Sequence, residues 1–311
     1  MSRPELQTQT FTLHGADGAE LFVYRWLSPG PCSAMVQIAH GLAEHAGRYA
    51  RLAQALTAAG FGVYANDHRG HGKTCNTQEQ LGFFAARNGW RLCLDDLWML
   101  NRHIAAEHRG IPVVLLGHSM GSTMAEQLMG EHGEALAGVV LSGSSGQPTL
   151  LAALGRLITR IERWRVGPRG RSRLAQSLTF EAFNQQFAPA RTAFDWLSRD
   201  PAEVDKYVAD PLCGFPASVQ LWIDLLDGAK AASSPRNLAR IPKTLPIYVI
   251  AGSRDPVGDN TKQLDAMLAA YRRAGLQNVQ HRFYPEARHE LFNETNRDEV
   301  TRELIEWLDR R

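Results

Sequence analysis

The sequence predicts an α/β fold: a mostly parallel, eight-stranded sheet with helices on both faces and one inserted helical cap. Three observations predict it. Short apolar runs alternate with amphipathic helical segments, the pattern of repeated βα units. Most of these runs are apolar throughout, as strands buried on both faces are. The alternation stops over residues 147–240 and then resumes in the same form.

Residues 11–14 and 21–27 read as strands joined by the turn Gly15-Ala-Asp-Gly18, a hairpin signal. Residues 34–39 form an apolar strand ending in His40-Gly41. Tyr49, Leu52, Ala53 and Leu56 fall at helical spacing, and Gly60 is placed to stop that helix. Residues 61–65 are the next strand. Trp90, Leu94, Leu97 and Ile104 mark a long helix before the buried strand 113–116. A helix over 119–131 and a strand over 137–141 follow. Beyond the interruption come a strand at 247–250, a helix through Leu264, Met267, Leu268 and Tyr271, a strand at 279–284, and a helix through Val300, Leu304 and Leu308. The expected division is therefore a core of 1–146 and 241–311, with the cap at 147–240.

Composition narrows the function. In 311 residues, 44% are hydrophobic and 21% charged, enough apolar mass for a sizeable core and against global disorder. Lys and Arg number 34 against 32 Asp and Glu, too balanced for a chain that binds nucleic acid over its whole surface. No run reaches the roughly 18–20 apolar residues of a membrane span, and the polar N-terminal segment does not read as a secretory signal. Cys32, Cys75, Cys93 and Cys213 show no CxxC and no clustering. That argues against a disulfide scaffold or structural zinc and fits a cytoplasmic protein. Nothing in the sequence sets an oligomeric state.

The chemistry starts at Gly117-His-Ser-Met-Gly121, which fits G-x-S-x-G. The pattern alone is weak. Its place between a strand and a helix is what a nucleophile elbow requires, with small residues packed around Ser119. A serine hydroxyl needs a base, and the base needs an orienting acid. Asp255 follows one late strand and His289 follows the last, giving the order serine, acid, histidine. Asp259 is a rival acid or a helix cap. Glu286 and Glu290 flank His289 and are expected in solvent. An oxyanion hole needs two backbone N–H donors. Met120, after the serine, supplies one; Leu42, in His40-Gly-Leu-Ala-Glu-His45, is placed for the other. His68, His71, Asp67 and His45 lack the H-E-x-x-H spacing of a metalloprotease and read as structural support, so no metal or organic cofactor is expected.

The segments His40-Gly-Leu-Ala-Glu-His-Ala-Gly-Arg-Tyr49, Asn66-Asp-His-Arg-Gly-His-Gly-Lys73, Gly117–Gly121, Gly252-Ser-Arg-Asp255 and His289-Glu-Leu-Phe-Asn-Glu294 resemble the monoacylglycerol lipase and lysophospholipase group of α/β-hydrolases, the serine aminopeptidase-like hydrolases. The resemblance covers 1–145 and 241–311. It implies the α/β-hydrolase fold, a Ser119–Asp255–His289 triad, Leu42 and Met120 as oxyanion donors, and hydrolysis of an acyl-lipid ester through an acyl-enzyme. Many members carry glycine where this chain has Ala43, a change tolerated unless the position needs a positive φ. The same machinery serves a proline-type aminopeptidase, a thioesterase or acyltransferase, a perhydrolase or a short-chain esterase. A peptidase would need a fixed acid for the substrate amine, and Glu203 and Asp205 are the candidates. An epoxide hydrolase or dehalogenase would carry aspartate at position 119. A non-catalytic receptor on this fold would normally lack a triad member, and none is missing.

Positive charge concentrates in the insertion, where seven arginines between Arg156 and Arg173 face the single acid Glu162. Leu150, Leu151, Leu154, Leu157, Ile158, Ile161 and Trp164 share one helical face, with Arg156, Arg160 and Arg163 elsewhere. Such a helix suits transient contact with an anionic membrane surface. The favoured reading instead packs the apolar face over the pocket and leaves the arginines solvated. Phe180, Phe183, Phe187, Phe194 and Trp196 add apolar mass, and Leu154, Ile161 and Phe183 are expected to line an acyl pocket. Each buried CH₂ of a substrate would add about 0.8 kcal/mol.

Overall fold

The computed structural model describes residues 8–15, 17–148, 150–176 and 181–311. Phe180 and the side chains of Leu150 and Leu151 lie outside the described residues. The strands are β1 (Gln9–His14), β2 (Glu20–Trp26), β3 (Met35–Ala39), β4 (Gly62–Asn66), β5 (Val113–His118), β6 (Gly138–Ser142), β7 (Ile247–Gly252) and β8 (Val279–Tyr284). They form one sheet in the order β1-β2-β4-β3-β5-β6-β7-β8. β1 pairs with β2, and β2 with β4, antiparallel; every other pairing is parallel.

β3 to β7 are buried at every residue, which is why their sequences are apolar without alternation. Their side chains still alternate between two layers. Val114 and Leu116 pack with Leu52 and Leu56 of α1 (Ala50–Ala58) and with Leu304 and Trp307 of α11 (Arg297–Leu308). Leu115 packs on the opposite face with Leu94 and Leu97 of α2 (Gly89–Glu107), Met124 and Leu128 of α3 (Met120–His132), and Leu264 of α10 (Lys262–Arg273). The edge strand β8 is mostly exposed and carries His281 and Arg282, which discourage pairing with another chain.

Between β6 and β7 lie α4 (Leu150–Val166), α5 (Arg173–Gln176), α6 (Ala182–Gln185), α7 (Pro201–Ala209), α8 (Val219–Ala232) and α9 (Pro235–Arg240). Packing within 147–240 is not uniform. Leu221 and Trp222 of α8 and Leu238 of α9 belong to the same buried cluster as α3, so this end of the stretch covers the sheet. α4 rests on α8.

The orientation of α4 corrects the favoured sequence expectation. Leu154, Leu157 and Ile161 are 52–57% exposed and Trp164 is 90% exposed. Among its described side chains, Thr159 and Glu162 are the buried ones, and the arginines beside them reach α8. Arg156 Nε lies 2.6 Å and Arg160 Nη2 3.2 Å from carboxylate oxygens of Asp227, and Arg163 Nε donates to Gln220 Oε1 at 2.6 Å. The surface that α8 offers to α4 is polar, so ion pairing sets the helix rotation and the apolar stripe turns outward.

β3 lies between β4 and β5. The chain leaves β3 toward one side and later returns on the other, which opens a crevice at the carboxyl ends of β3 and β5. His40-Gly41 and Ser119 follow those two ends.

Candidate active site

Ser119 sits between β5 and α3 with φ 54° and ψ −117°, a conformation that L-residues seldom adopt. The local glycines explain how the turn closes. A Cβ on Gly117 would meet Gly121 O at 2.3 Å, and one on Gly121 would meet Ala39 O at 2.1 Å. A Cβ on Gly41 would stand 3.2 Å from Ser119 Cβ. β3, β5 and the start of α3 therefore converge on the serine. This close approach brings Leu42 and Met120, the expected oxyanion donors, onto the segments flanking it.

Asp255 and His289 meet as their order in the chain implies. His289 Nδ1 and Asp255 Oδ2 are 2.9 Å apart, and both residues are buried. Asp255 Oδ1 accepts from Val257 N at 2.9 Å, so the carboxylate is held by two donors. Gly252 lets the two loops approach, because a Cβ there would strike Ala287 O at 2.1 Å. The His289 ring lies 4.7 Å from that of His118, which precedes the serine. Burial alone would lower the His289 pKa; the Asp255 carboxylate outweighs it and holds the imidazole above its ordinary value. Burial and the neighbouring His289 push His118 down to about 4. Asp259 lies apart from the histidine and faces Lys262 at 3.8 Å.

The structure corrects the expectation that Glu290 is solvated. It is 6% exposed, and both its carboxylate oxygens accept from Arg48, at 2.6 and 2.7 Å. Arg48 also donates to Glu44 Oε2 at 2.7 Å, while Glu44 Oε1 accepts from Gly41 N at 2.6 Å and from Tyr49 OH at 2.9 Å. One buried guanidinium thus ties the loop bearing Leu42 to the loop bearing His289. The signal was visible as Glu44 and Arg48 in His40–Tyr49, but their partner 242 residues away from Arg48 was not. Glu286 is exposed, as expected.

Ala43 has φ 57° and is fully buried, so the position that often carries glycine does require the left-handed region. Its carbonyl accepts from Gly214 N at 2.9 Å and Tyr207 OH at 2.8 Å.

Of the three residues expected to line an acyl pocket, Phe183 alone stands near the histidine. Its ring is 5.3 Å from Trp196, which lies 5.0 Å from the His289 ring. Leu154 and Ile161 are on the outer side of α4. The contact of Trp196 with His289 escaped sequence reasoning, because an aromatic in an insertion carries no sign of which loop it will face. Nor are the candidate amine anchors free. Glu203 is held by Arg51 and Lys206, both at 2.8 Å, and Asp205 by Arg191 at 2.5 Å. Asp67 is equally committed, accepting from Ala46 N and Lys73 N at 2.8 and 2.7 Å, and His40 Nε2 accepts from His68 N. The loop is tied to the sheet end by these bonds, while His68 Nδ1 and His71 Nε2 are buried without a hydrogen-bond partner among the described residues.

Comparison with known proteins agrees with this architecture. The chain is 28% identical to a monoacylglycerol lipase of Mycolicibacterium smegmatis, over 94% of each chain. It is 30% identical to human monoglyceride lipase, over 91% of this chain and 88% of that one. A thermostable carboxyl esterase from Bacillus coagulans superposes with a TM-score of 0.90 at 25% identity, over 98% of both chains. Residues 30–296 match the model of the serine aminopeptidase S33 hydrolases. With most of its length matched by that model and the α/β-hydrolase sheet beneath it, the chain belongs to the serine aminopeptidase S33 family.

Proposed function

We propose that this protein hydrolyses the carboxylic ester of a monoacylglycerol or a similar single-chain acyl lipid. The observation that carries the reading is the Ser119 elbow, joined to the buried His289–Asp255 pair through His118, whose ring lies 4.7 Å from that of His289. The lipase relatives, aligned over nearly their whole length, support the substrate class.

In this mechanism His289 Nε2 takes the Ser119 proton as Oγ attacks the ester carbonyl. Asp255 holds the tautomer and stabilises the imidazolium that forms. The N–H groups of Met120 and Leu42 receive the developing oxyanion. His289 then protonates the leaving alcohol, and water resolves the acyl-enzyme by the same route. Trp196 and Phe183 provide the apolar wall nearest the histidine, and the acyl chain lies against them. Residues 147–240 act as the cap, with α8 and α9 as its base on the sheet, and the outward stripe of α4 rests on the lipid surface from which the substrate is drawn. The ion pairs at Glu203 and Asp205 weigh against the aminopeptidase reading, because neither acid is free to bind an amine.

A fluorophosphonate probe should label the protein, and Ser119→Ala should lose labelling together with roughly 10³–10⁶ of the hydrolysis rate. Undiminished labelling of Ser119→Ala would falsify the assignment. Along a p-nitrophenyl ester series, kcat/KM should rise from acetyl to medium chains. A steady fall would favour a short-chain esterase.

A further inference from the structure

The seam between the Leu42 loop and the segment after α7 gathers three side chains that the proposed reaction does not use. His45 Nε2 and Asp210 Oδ2 are 2.9 Å apart, and with Cys213 Sγ their ligand atoms all lie within 4.8 Å of one another. Nitrogen, carboxylate oxygen and thiol sulfur are the donor set of a borderline-soft divalent ion, and hard ions such as magnesium or calcium would not select it.

We infer that His45, Asp210 and Cys213 form a binding site for a zinc-like divalent cation that pins the cap to the oxyanion loop. Four observations support it. His45 Nδ1 has no hydrogen-bond partner, so the ring is free to change tautomer and offer Nε2. Asp210 Oδ1 is fixed by Leu212 N at 2.8 Å, which leaves Oδ2 aimed at His45. Cys213 is a free thiol held nearby by Cys213 N donating to Asp210 O at 3.0 Å. The surrounding charge suits a cation: Glu44, Glu290 and Asp210 face the single guanidinium of Arg48. Tetrahedral zinc sets its ligand atoms about 3.5 Å apart, so on binding the separation of up to 4.8 Å within the set closes and the 2.9 Å His45–Asp210 pair opens slightly.

The proton balance is defined. Burial and the nearby carboxylates raise the thiol pKa, Arg48 opposing them, so Cys213 is protonated before binding. The cation displaces the thiol proton to solvent. The His45 nitrogen that binds the ion passes its proton to the other ring nitrogen. One proton leaves per ion bound, and affinity rises with pH. Water completes the coordination sphere.

The location gives binding a consequence. Ala43 lies two residues before His45, and its carbonyl is already held by Gly214 and Tyr207, on the segment that carries Asp210 and Cys213. The His45–Asp210 hydrogen bond is the third tie across this seam, and a metal bridge replaces it with coordinate bonds that also engage Cys213, next to Leu42. Bound cation should therefore slow turnover by restraining the loop that receives the oxyanion.

The test uses the full chain with Cys32→Ser and Cys75→Ser, which removes the two half-buried thiols elsewhere. Cadmium titration should develop the ultraviolet thiolate-to-metal band to one equivalent, with release of one proton. Cys213→Ser, or Cys213→Ala if the first fails to fold, should abolish the band. His45→Gln and Asp210→Asn should each weaken cadmium binding by about tenfold or more. Zinc should slow ester hydrolysis in the parent and far less in Cys213→Ser. No band in the parent, or an unchanged band without Cys213, overturns the site. The absorbance and proton readouts do not depend on the ester-hydrolase reading, so the two can fail separately.

Discussion

Residues 194–214 and helix α4 come from the same stretch between β6 and β7, yet they obey different physics. The first segment is woven into the catalytic loops. Trp196 O and Leu197 O accept from the N–H groups of His289 and Glu290, Arg288 donates to Asp195 O, and Arg199 Nε pairs with the buried Glu294 at 2.8 Å. Its aromatics Trp196 and Tyr207 are buried. The second segment touches α8 through arginine contacts to Asp227 and Gln220 and sends Leu154, Leu157, Ile161 and Trp164 outward. The apolar content looks alike in the two. What differs is the surface each one meets. The seam offers backbone donors, acceptors and buried charge, and α8 offers a polar flank.

If that contrast holds, disturbing the seam should damage folding and chemistry, while disturbing α4 should spare both. The largest effect is expected at Arg48. Its side chain is 11% exposed between Glu44 and Glu290, and Arg48→Met would strand two buried carboxylates. Urea denaturation should show a loss of about 3–5 kcal/mol, partly recovered by adding Glu290→Gln. A loss below about 1 kcal/mol would mean that the cluster contributes no more than a surface pair.

On α4 the expected change is in lipid association. Leu154→Asp with Ile161→Asp should weaken sedimentation with anionic vesicles on the order of 100-fold, from roughly 3 kcal/mol of lost apolar burial. Stability should move by less than about 0.5 kcal/mol, as at other exposed positions. Hydrolysis of a water-soluble short ester should be unchanged. Equal vesicle binding by parent and variant would leave the outward stripe without a lipid partner.

Trp196→Ala should lower kcat on the order of 100-fold, since it frees the face of His289 and small misplacements near reacting atoms are costly. It should also move the acid limb of the rate profile. Burial is what opposes the raised His289 pKa. Opening the site weakens that opposition, so the pKa rises and activity is lost at a higher pH than in the parent. A fall in kcat with an unmoved acid limb would assign Trp196 a packing role only.

The smallest effect is expected at Ala43→Gly. Relief of the left-handed backbone is worth roughly 1–2 kcal/mol. Against it stand about 0.5–1 kcal/mol of glycine entropy and about 0.8 kcal/mol for the methyl packed against Leu81 and Phe215. These nearly cancel, which explains why alanine is tolerated. The unfolding midpoint should stay within about 0.5 kcal/mol of the parent. A loss above about 2 kcal/mol would show that methyl packing dominates.

The sequence by itself determined the sheet, the elbow and the order of Ser119, Asp255 and His289. Those features depend on local rules: apolar runs bury strands, glycines admit a tight turn, and each loop follows its own strand. It did not determine which way α4 faces, because an amphipathic stripe reports its own period and not the polarity of the helix beneath it. It did not place Glu290, whose burial depends on Arg48 on a distant loop. The φ of Ala43 and the contact of Trp196 with His289 were likewise decided only in three dimensions. Each arises where segments remote in sequence meet, and there the cost of burying a charge or a polar group is set by the partner across the gap.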